Sequence, residues 1–432
     1  MHAQAVFYIP TGRSEDLHLA FRRVAGVPLY LRGILTLASS GMTDFVLIAP
    51  AQYRRQIQRA WQKILRRMPQ LKLCTIWLDG HRWEEKHFHE LEQVTAPHFL
   101  WMGTNTLFTP AWVNDCVLPL LAKRKDYIAS PQYPMPWAIL RAQDLKPMHE
   151  VASQVHENLL DHILPVIVSQ GFSAKVFTGG REDCFPLYHR ADISRGEDFL
   201  CEYIRKSATG WTARNINKRI SLPISKLLTR LHIRPNTITV VNMLIGLASG
   251  IGTGGMTNTS LLIGAILFQT ASIIDGCDGE VAKLTFRTSK FGQYIDTLAD
   301  NSALFSFLIG LVIHQYRVYG SASAIGWGAP LLIGLVCLLG TMIHYLYHHS
   351  NSASLVAFEK QFIDSMSRDK HPYIVWFVQH AKYLIKKDFF SMFFLALAIF
   401  NVLPLALVFA TLAVWIGFIL IFYLRIEGRT HA

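Results

Sequence analysis

The sequence lacks the paired cysteines of zinc-binding or disulfide-rich proteins, and it has few charged residues for a soluble protein. Its six cysteines are scattered without a C-x-x-C pair, which argues against a zinc site or a disulfide framework. Only 17% of the 432 residues are charged and 51% are apolar, which is too apolar for an ordinary soluble protein. The N-terminus lacks a basic segment followed by an apolar one, so we expect no cleaved signal peptide. Membrane insertion must then depend on later segments.

The apolar residues are concentrated in the second half of the chain. From about residue 236 onward, apolar runs approach the length of roughly 20 residues that crosses a bilayer. Six spans are predicted, at 237–255, 259–284, 292–316, 327–348, 388–403 and 404–425. We therefore expect an integral, multi-pass protein of the cytoplasmic (inner) membrane. Basic residues are concentrated in the connections after the second and fourth spans and in the tail, which places the N-terminal domain and these connections in the cytoplasm.

The net charge of +12 would suit either nucleic acid or an anionic membrane surface. Because the basic residues flank the apolar runs, the lipid bilayer is the favoured partner, and no nucleic acid is expected. Residues 201–235 alternate apolar and basic positions at helical spacing, which predicts an amphipathic juxtamembrane helix at the lipid interface. Pro223 suggests a kink there, or a boundary between two shorter helices. An ordinary linker helix is the alternative.

The first 200 residues show an alternating strand and helix pattern. Strands are predicted at 4–10, 43–50, 71–77 and 98–102, with helices at 29–40 and 52–68 between them. This order is typical of an α/β domain with a mostly parallel sheet. The fold class is therefore multidomain, with domain boundaries at 1–200 (α/β), 201–235 (juxtamembrane helix) and 236–432 (an all-α domain of six transmembrane helices).

The stretch VAGVPLYLRGILTLASSGMTDFVLIAP, residues 24–50, resembles the early part of sugar-phosphate nucleotidyltransferases. Those enzymes open with a glycine-rich loop that cradles the triphosphate, whereas this chain reads IPTGRSED with only Gly12. They also hold a metal with an Asp after a later strand, where this chain has Thr104 and Asn105. A neutral side chain cannot replace a carboxylate on magnesium. The resemblance thus implies a nucleotidyltransferase-like domain without its chemistry; an unrelated α/β domain is the alternative.

Four aspartates lie within or beside the second and third predicted spans. Asp275 and Asp278 are three residues apart, and Asp296 and Asp300 are four apart, so each pair shares one face of a helix. Carboxylates at membrane depth are costly unless a cation compensates them. The short connection should bring the two pairs face to face, forming an all-oxygen site suited to Mg²⁺ or Mn²⁺. Four carboxylates fit two ions better than one.

The full spacing, D-x2-D-G-x2-A-x9-G-x3-D-x3-D, resembles that of the CDP-alcohol phosphotransferase (CDP-alcohol phosphatidyltransferase) family. The segment KRIS followed by RPNTIT resembles the juxtamembrane helix and first-span entry of archaeal-type bifunctional inositol-phosphate cytidylyltransferase/phosphotransferase enzymes. In those enzymes a nucleotidyltransferase domain precedes the membrane domain. That order agrees with the α/β pattern of residues 1–200. The resemblance also implies a homodimer.

Residue roles follow from the resemblance by position. It implies that Asp275, Asp278 and Asp296 hold the metals, and that Asp300 is metal-linked and acts as the base on the acceptor hydroxyl. The implied CDP-alcohol site consists of Asn236, Thr239, Asp278, Gly279, Ala282, Lys283 and Gly292. Lys283 departs from the family, which usually has Arg there; Lys keeps the charge but loses the bidentate fork. Arg368, Lys386 and Lys387 are candidates for binding an acceptor phosphate, although basic residues are expected at a cytoplasmic boundary in any case.

The expected activity is metal-dependent transfer of a substituted phosphate group in phospholipid or related polar-lipid biosynthesis. The donor would be a CDP-alcohol such as CDP-diacylglycerol, the acceptor a hydroxyl of unknown identity, and the second product CMP. One alternative is a bifunctional enzyme that also makes the CDP-alcohol from CTP. Another is a cation transporter, which is disfavoured because the acids cluster toward one face and no internal repeat is visible.

Overall fold

The computed structural model describes residues 3–9, 14–79, 96–129, 137–141, 175–178, 181–208, 212–349 and 387–430. Arg368 and Lys386 lie outside the described residues. The chain divides into two compact units, an N-terminal unit of Met1–Tyr203 and a C-terminal unit of Ile204–Ala432. The finer division at residues 201–235 stays a prediction.

The N-terminal unit alternates strands and helices as predicted. Its strands are β1 Gln4–Tyr8, β2 Arg23–Val24, β3 Val27–Pro28, β4 Asp44–Pro50, β5 Lys72–Leu78, β6 His98–Gly103, β7 Thr106–Phe108, β8 Tyr127–Ala129, β9 Trp137–Arg141, β10 Lys175–Phe177 and β11 Cys184–Pro186. Its helices are α1 Ser14–Phe21, α2 Leu29–Ser39, α3 Arg54–Leu65, α4 at residues 110–122 with a π turn in its middle, and α5 Asp192–Lys206, which ends just beyond the unit.

Seven of these strands form one sheet in the order β10-β8-β9-β6-β1-β4-β5. The central strand β1 pairs in parallel with β4 and β6, and β4 pairs in parallel with the edge strand β5. Only β9 runs antiparallel to its neighbours. β1 and β6 are buried along nearly their whole length, as expected for a sheet covered by helices. The α/β class and the mostly parallel sheet are confirmed.

The end of β6 carries the two neutral residues that the sequence analysis compared with the metal-holding Asp of nucleotidyltransferases. Thr104 and Asn105 follow this strand directly; Thr104 is buried, and its backbone amide donates to the carbonyl of Tyr8 at 3.0 Å. The two neutral residues thus sit at the carboxyl end of a central strand, as the sequence indicated. Whether the domain has lost its chemistry stays a prediction.

The C-terminal unit is helical throughout its described part. A π turn at Ala213–Asn217 leads into α6 Lys218–Arg230, which is followed by α7 Pro235–Thr253, α8 Asn258–Leu284, α9 Lys290–Tyr319, α10 Ser321–His349, α11 Lys387–Ile399 and α12 Leu405–Thr430. The predicted boundary at Pro223 is wrong: α6 runs through this residue without a break. The alternative, a kink at Pro223, stays a prediction.

Small residues let α7 pack directly against α9. A Cβ at Gly246 would collide with Ala303, and one at Gly250 would collide with the backbone and hydroxyl of Ser306. On the other side of the bundle, Phe268, Phe307 and Phe394 stack with ring centroids 4.5, 5.2 and 6.2 Å apart. Within a bilayer, burying apolar side chains between helices gives no advantage over contact with lipid. Helices there associate instead through close approach of their backbones at small residues.

Three helices, α7, α8 and α9, are long and apolar enough to cross a bilayer. Their outward positions carry large apolar side chains; Ile251, for example, is 83% exposed within the chain. Among the residues that the structure describes, α10 and α12 contain shorter apolar segments, Ser321–Cys337 and Leu405–Ile416. The count of six spans stays a prediction.

Candidate active site

Three of the four predicted metal ligands come together at one end of α8 and α9. One carboxylate oxygen from each of Asp275, Asp296 and Asp300 lies within 4.8 Å of the others, and all three side chains are half-buried. Helical spacing aligns the residues on each helix, and packing of α8 and α9 against α7 brings the two helices together. We call Asp275, Asp296 and Asp300 the aspartate cluster.

Asp278, the fourth predicted ligand, is not a member of this group of three. It is buried, and its Oδ2 accepts a hydrogen bond from the hydroxyl of Thr239 on α7. The same helix supplies Asn242, whose Nδ2 donates to Asp275 Oδ1 at 3.0 Å. Helix α7 therefore orients both acids of α8. Thr239 was predicted to line the CDP-alcohol site, whereas Asn242 was not predicted from the sequence.

The connection between α8 and α9 is tight, as the sequence indicated. It spans residues 285–289, and Ser289 caps α9 by accepting a hydrogen bond from the Gly292 amide at 2.9 Å. A Cβ at Gly292 would lie 3.0 Å from Ser289 Oγ and 3.2 Å from Asn236 Oδ1. Two predicted donor-site residues, Asn236 and Gly292, are thus neighbours. A side chain at position 292 would require one or both of these neighbours to shift.

Gly279 is different, because packing does not require a glycine there. A Cβ at this position would meet no described atom within 4 Å. Gly279 is exposed, and the missing side chain leaves space beside Asp278. Ala282 is half-buried and Lys283 is exposed on the next turn of α8. Their predicted role in binding the donor stays a prediction.

Lys387, the first residue of α11, contacts the aspartate cluster. Its Nζ donates to Asp300 Oδ1 and lies 3.6 Å from Asp275 Oδ1. The next residue, Asp388, fixes this arrangement: its Oδ1 accepts from Asn217 Nδ2 at 2.9 Å and from Ser272 Oγ at 3.1 Å. The predicted acceptor-binding lysine thus lies on the acids themselves. Its ammonium group compensates part of their negative charge.

Glu280 is a buried carboxylate that the sequence reasoning missed. Its side chain is only 1% exposed, and it accepts from Lys218 Nζ at 2.6 Å, Ser221 Oγ at 2.5 Å and Ser225 Oγ at 2.6 Å. These three donors lie on α6, so Glu280 joins α6 to α8 next to Asp278 and Gly279. The available signal was the polar spacing of 218, 221 and 225 on one face of α6.

The orientation of α6 follows from that contact. Its polar face is buried against α8, whereas Ile220, Ile224 and Leu227 are 47%, 38% and 56% exposed. This arrangement is the reverse of a soluble amphipathic helix and suits a helix whose outer face meets lipid. The amphipathic character predicted for this segment is present.

The C-terminal unit matches a known family. Residues 232–423 match the CDP-alcohol phosphatidyltransferase family. Over 140 residues the chain is 35% identical to a bifunctional IPC transferase and DIPP synthase of Thermococcus kodakarensis, covering 32% of this chain and 29% of the relative. Over 119 residues it is 32% identical to a CDP-diacylglycerol–serine O-phosphatidyltransferase of Mycobacterium leprae, covering 28% of this chain and 38% of the relative.

The matched segments span well under two thirds of these relatives' lengths. Among solved structures, the inositol-1-phosphate CTP transferase from T. maritima is similar at 15% identity with a TM-score of 0.37, covering 48% of this chain and 97% of that one. The apolar helices indicate a membrane protein, and residues 232–423 of this chain match the CDP-alcohol phosphatidyltransferase family.

Proposed function

We propose that the chain transfers a substituted phosphate group from a CDP-alcohol, such as CDP-diacylglycerol, to a hydroxyl acceptor and releases CMP. The observation that carries this proposal is the aspartate cluster, whose three carboxylates converge within 4.8 Å inside the segment that matches the family. A neighbouring acid, Asp278, is buried and held by Thr239. Such a concentration of acids between apolar helices is costly for stability and indicates a functional site.

The donor atoms of the site fit a hard divalent cation. All are carboxylate oxygens, which Mg²⁺ and Mn²⁺ prefer over nitrogen or sulfur ligands. We assign Asp275, Asp296, Asp300 and Asp278 as the groups that would hold two such ions. When bound, these ions would neutralise the pyrophosphate of the donor and stabilise the entering and leaving oxygens.

The protein's own residues have separate roles in this proposal. Asp300 accepts the proton of the acceptor hydroxyl while that oxygen forms a bond to phosphorus and the bond from phosphorus to CMP breaks. Asn242 and Thr239 hold the acids of α8 in place. Gly279 leaves room for the donor beside Asp278, and the neighbouring residues Asn236 and Gly292 would also contact the donor.

CMP release tests the proposal directly. Purified full-length protein, labelled CDP-diacylglycerol, Mg²⁺ and a series of polar alcohols are incubated together, and CMP is measured for each acceptor. Asp300→Asn should lower turnover by about 10²- to 10⁴-fold, the usual contribution of a general base, and leave CDP-alcohol binding largely intact. Unchanged turnover would remove Asp300 from this role. No CMP with any acceptor, together with ion flux in liposomes, would instead support a cation transporter.

A bifunctional enzyme is the second candidate, because the Thermococcus relative carries the word bifunctional in its name. The neutral residues Thr104 and Asn105 after β6 favour an N-terminal unit that does not make the CDP-alcohol. Pyrophosphate release from CTP and an alcohol phosphate decides between the two. Robust release would show that the N-terminal unit is active.

We also propose a membrane arrangement. Six spans would place the N-terminal unit, the aspartate cluster and the tail on the cytoplasmic side, as the distribution of basic residues favours. The protein would form homodimers. Accessibility of single engineered cysteines to an impermeant thiol reagent in intact cells tests the orientation, and the mass of the detergent-solubilised protein tests the dimer.

A further inference from the structure

Helix α3 of the N-terminal unit carries an unusual concentration of positive charge. Residues 51–78 contain seven lysines and arginines and no acidic residue. The helix buries Ile57 and Trp61. This segment connects β4 with the edge strand β5, so its outer face lies at the margin of the sheet. The reaction proposed for the C-terminal unit makes no use of it.

The exposed cations form one stripe along the outer face. Arg55, Arg59 and Lys63 follow one another at four-residue spacing, and Arg66 and Arg67 continue the row just beyond the helix end. We call these five residues the α3 basic stripe. All are exposed, and no ion pair joins any of them to a carboxylate in the described part of the chain.

Such a row is unfavourable for the isolated unit. Like charges four residues apart on a helix repel each other and destabilise it. Acidic residues between them would relieve the repulsion, but residues 51–78 contain none. An external anionic surface would relieve it equally well. The stripe is extended and regularly spaced, which suits many negative charges spread over a surface better than one small anion.

We propose that the α3 basic stripe binds the anionic lipid headgroups of the bilayer that the same chain spans. Juxtamembrane basic clusters are attracted to anionic leaflets. The N-terminal unit is also tethered to the membrane, because residues 204–234 connect it to α7, the first helix long enough to cross a bilayer. Because of this tether, the effective concentration of lipid headgroups near the α3 basic stripe is high. A weak electrostatic attraction is then sufficient for binding. This inference does not rest on the proposed transferase reaction.

Hydrogen–deuterium exchange of the full-length protein in lipid nanodiscs tests the proposal. Exchange of the amides of residues 54–67 is compared between discs of phosphatidylcholine alone and discs that also contain phosphatidylglycerol. We expect slower exchange in the anionic discs at low salt. The difference should disappear at about 1 M salt, where the Debye length falls to roughly 3 Å.

Two triple variants supply the controls. Arg55→Gln/Arg59→Gln/Lys63→Gln removes three cations from the stripe; at about fivefold per cation, it should weaken the attraction by roughly 100-fold and abolish the difference between discs. Lys123→Gln/Arg124→Gln/Lys125→Gln removes the same net charge from an exposed turn after α4 and should preserve the difference. All six residues are exposed, and far-UV circular dichroism checks that both variants fold.

Three results would overturn the proposal. The first is equal exchange of α3 in neutral and anionic discs. The second is an equal loss of protection in the two triple variants, which would mean that net charge alone is responsible. The third is protection in neutral discs on addition of CTP or an oligonucleotide, with no response to phosphatidylglycerol, which would assign the stripe to a different anion.

Discussion

Lys218→Met tests how the juxtamembrane helix is attached to the catalytic helix. The substitution removes the ammonium group that lies 2.6 Å from Glu280 Oε1 and leaves a carboxylate that is 1% exposed without its cation. Breaking a buried ion pair from one side typically costs about 3–5 kcal/mol, because the remaining charge has no compensation. Lys218 is itself 19% exposed, so some water reaches the pair. We therefore expect a loss near the lower end, about 3 kcal/mol.

The assay is denaturant unfolding of the full-length protein in detergent, with CMP release as a second measurement. Arg219→Met is the matched control, because Arg219 is the neighbouring, exposed cation on α6 and loses the same charge. A surface substitution of this kind should change stability by less than about 0.5 kcal/mol. CMP release should fall in Lys218→Met, since Glu280 lies beside Asp278 and Gly279 on α8.

The double variant Lys218→Met/Glu280→Gln sharpens the test. Once the carboxylate is replaced by a neutral amide, no buried charge remains, so stability should recover relative to Lys218→Met alone. The new amide keeps one carbonyl oxygen that accepts from a serine hydroxyl, and its NH2 group can donate to the oxygen of the other serine. A loss below about 1 kcal/mol in Lys218→Met, or additive losses in the double variant, would refute the argument that this ion pair holds α6 against α8.

Two further predictions concern the aspartate site. Gly279→Ala should leave stability within about 0.5 kcal/mol of the parent but reduce CMP release. Gly250→Ala should lower the free energy of unfolding by at least about 1–3 kcal/mol, because its Cβ would collide with Ser306. Denaturant unfolding and CMP release of both variants check this, and full activity of Gly279→Ala would contradict it. Lys387→Met should tighten Mn²⁺ binding by about tenfold in calorimetry, since its ammonium no longer competes for Asp300. Weaker Mn²⁺ binding would show that the lysine supports the metal site.

Local patterns in the sequence were enough to predict much of the architecture. Short apolar strand segments and their intervening helices predicted the parallel core of the N-terminal sheet, and the element boundaries differ from the observed ones by a few residues. The spacing of the four aspartates predicted their faces on α8 and α9. Both are properties of residues close together in the chain, where strand and helix geometry determine which side chains share a face.

The inward face of α6 could not be predicted in the same way. Its apolar side chains predicted an interfacial helix with that side toward lipid or the membrane domain and its cations toward headgroups, whereas the buried face carries Lys218, Ser221 and Ser225, which bind Glu280. Periodicity shows that a helix has two faces but not which of them meets protein. In soluble proteins the apolar side of a helix faces the protein core. This rule does not hold at a lipid interface, because lipid accommodates apolar side chains as well as a protein core does.

By itself, the sequence determined the apolar helices and the helix faces on which the four aspartates lie, because helical spacing and apolar length depend only on near neighbours in the chain. The tertiary structure decided which groups meet. It placed Lys387 on Asp300, 87 positions away, and Lys218 on Glu280, 62 positions away. It also brought the carboxylates of Asp275, Asp296 and Asp300 into one group, whereas Asp278 accepts a hydrogen bond from Thr239. Contacts between distant residues depend on how helices pack, and packing is a property of the whole bundle rather than of any local pattern.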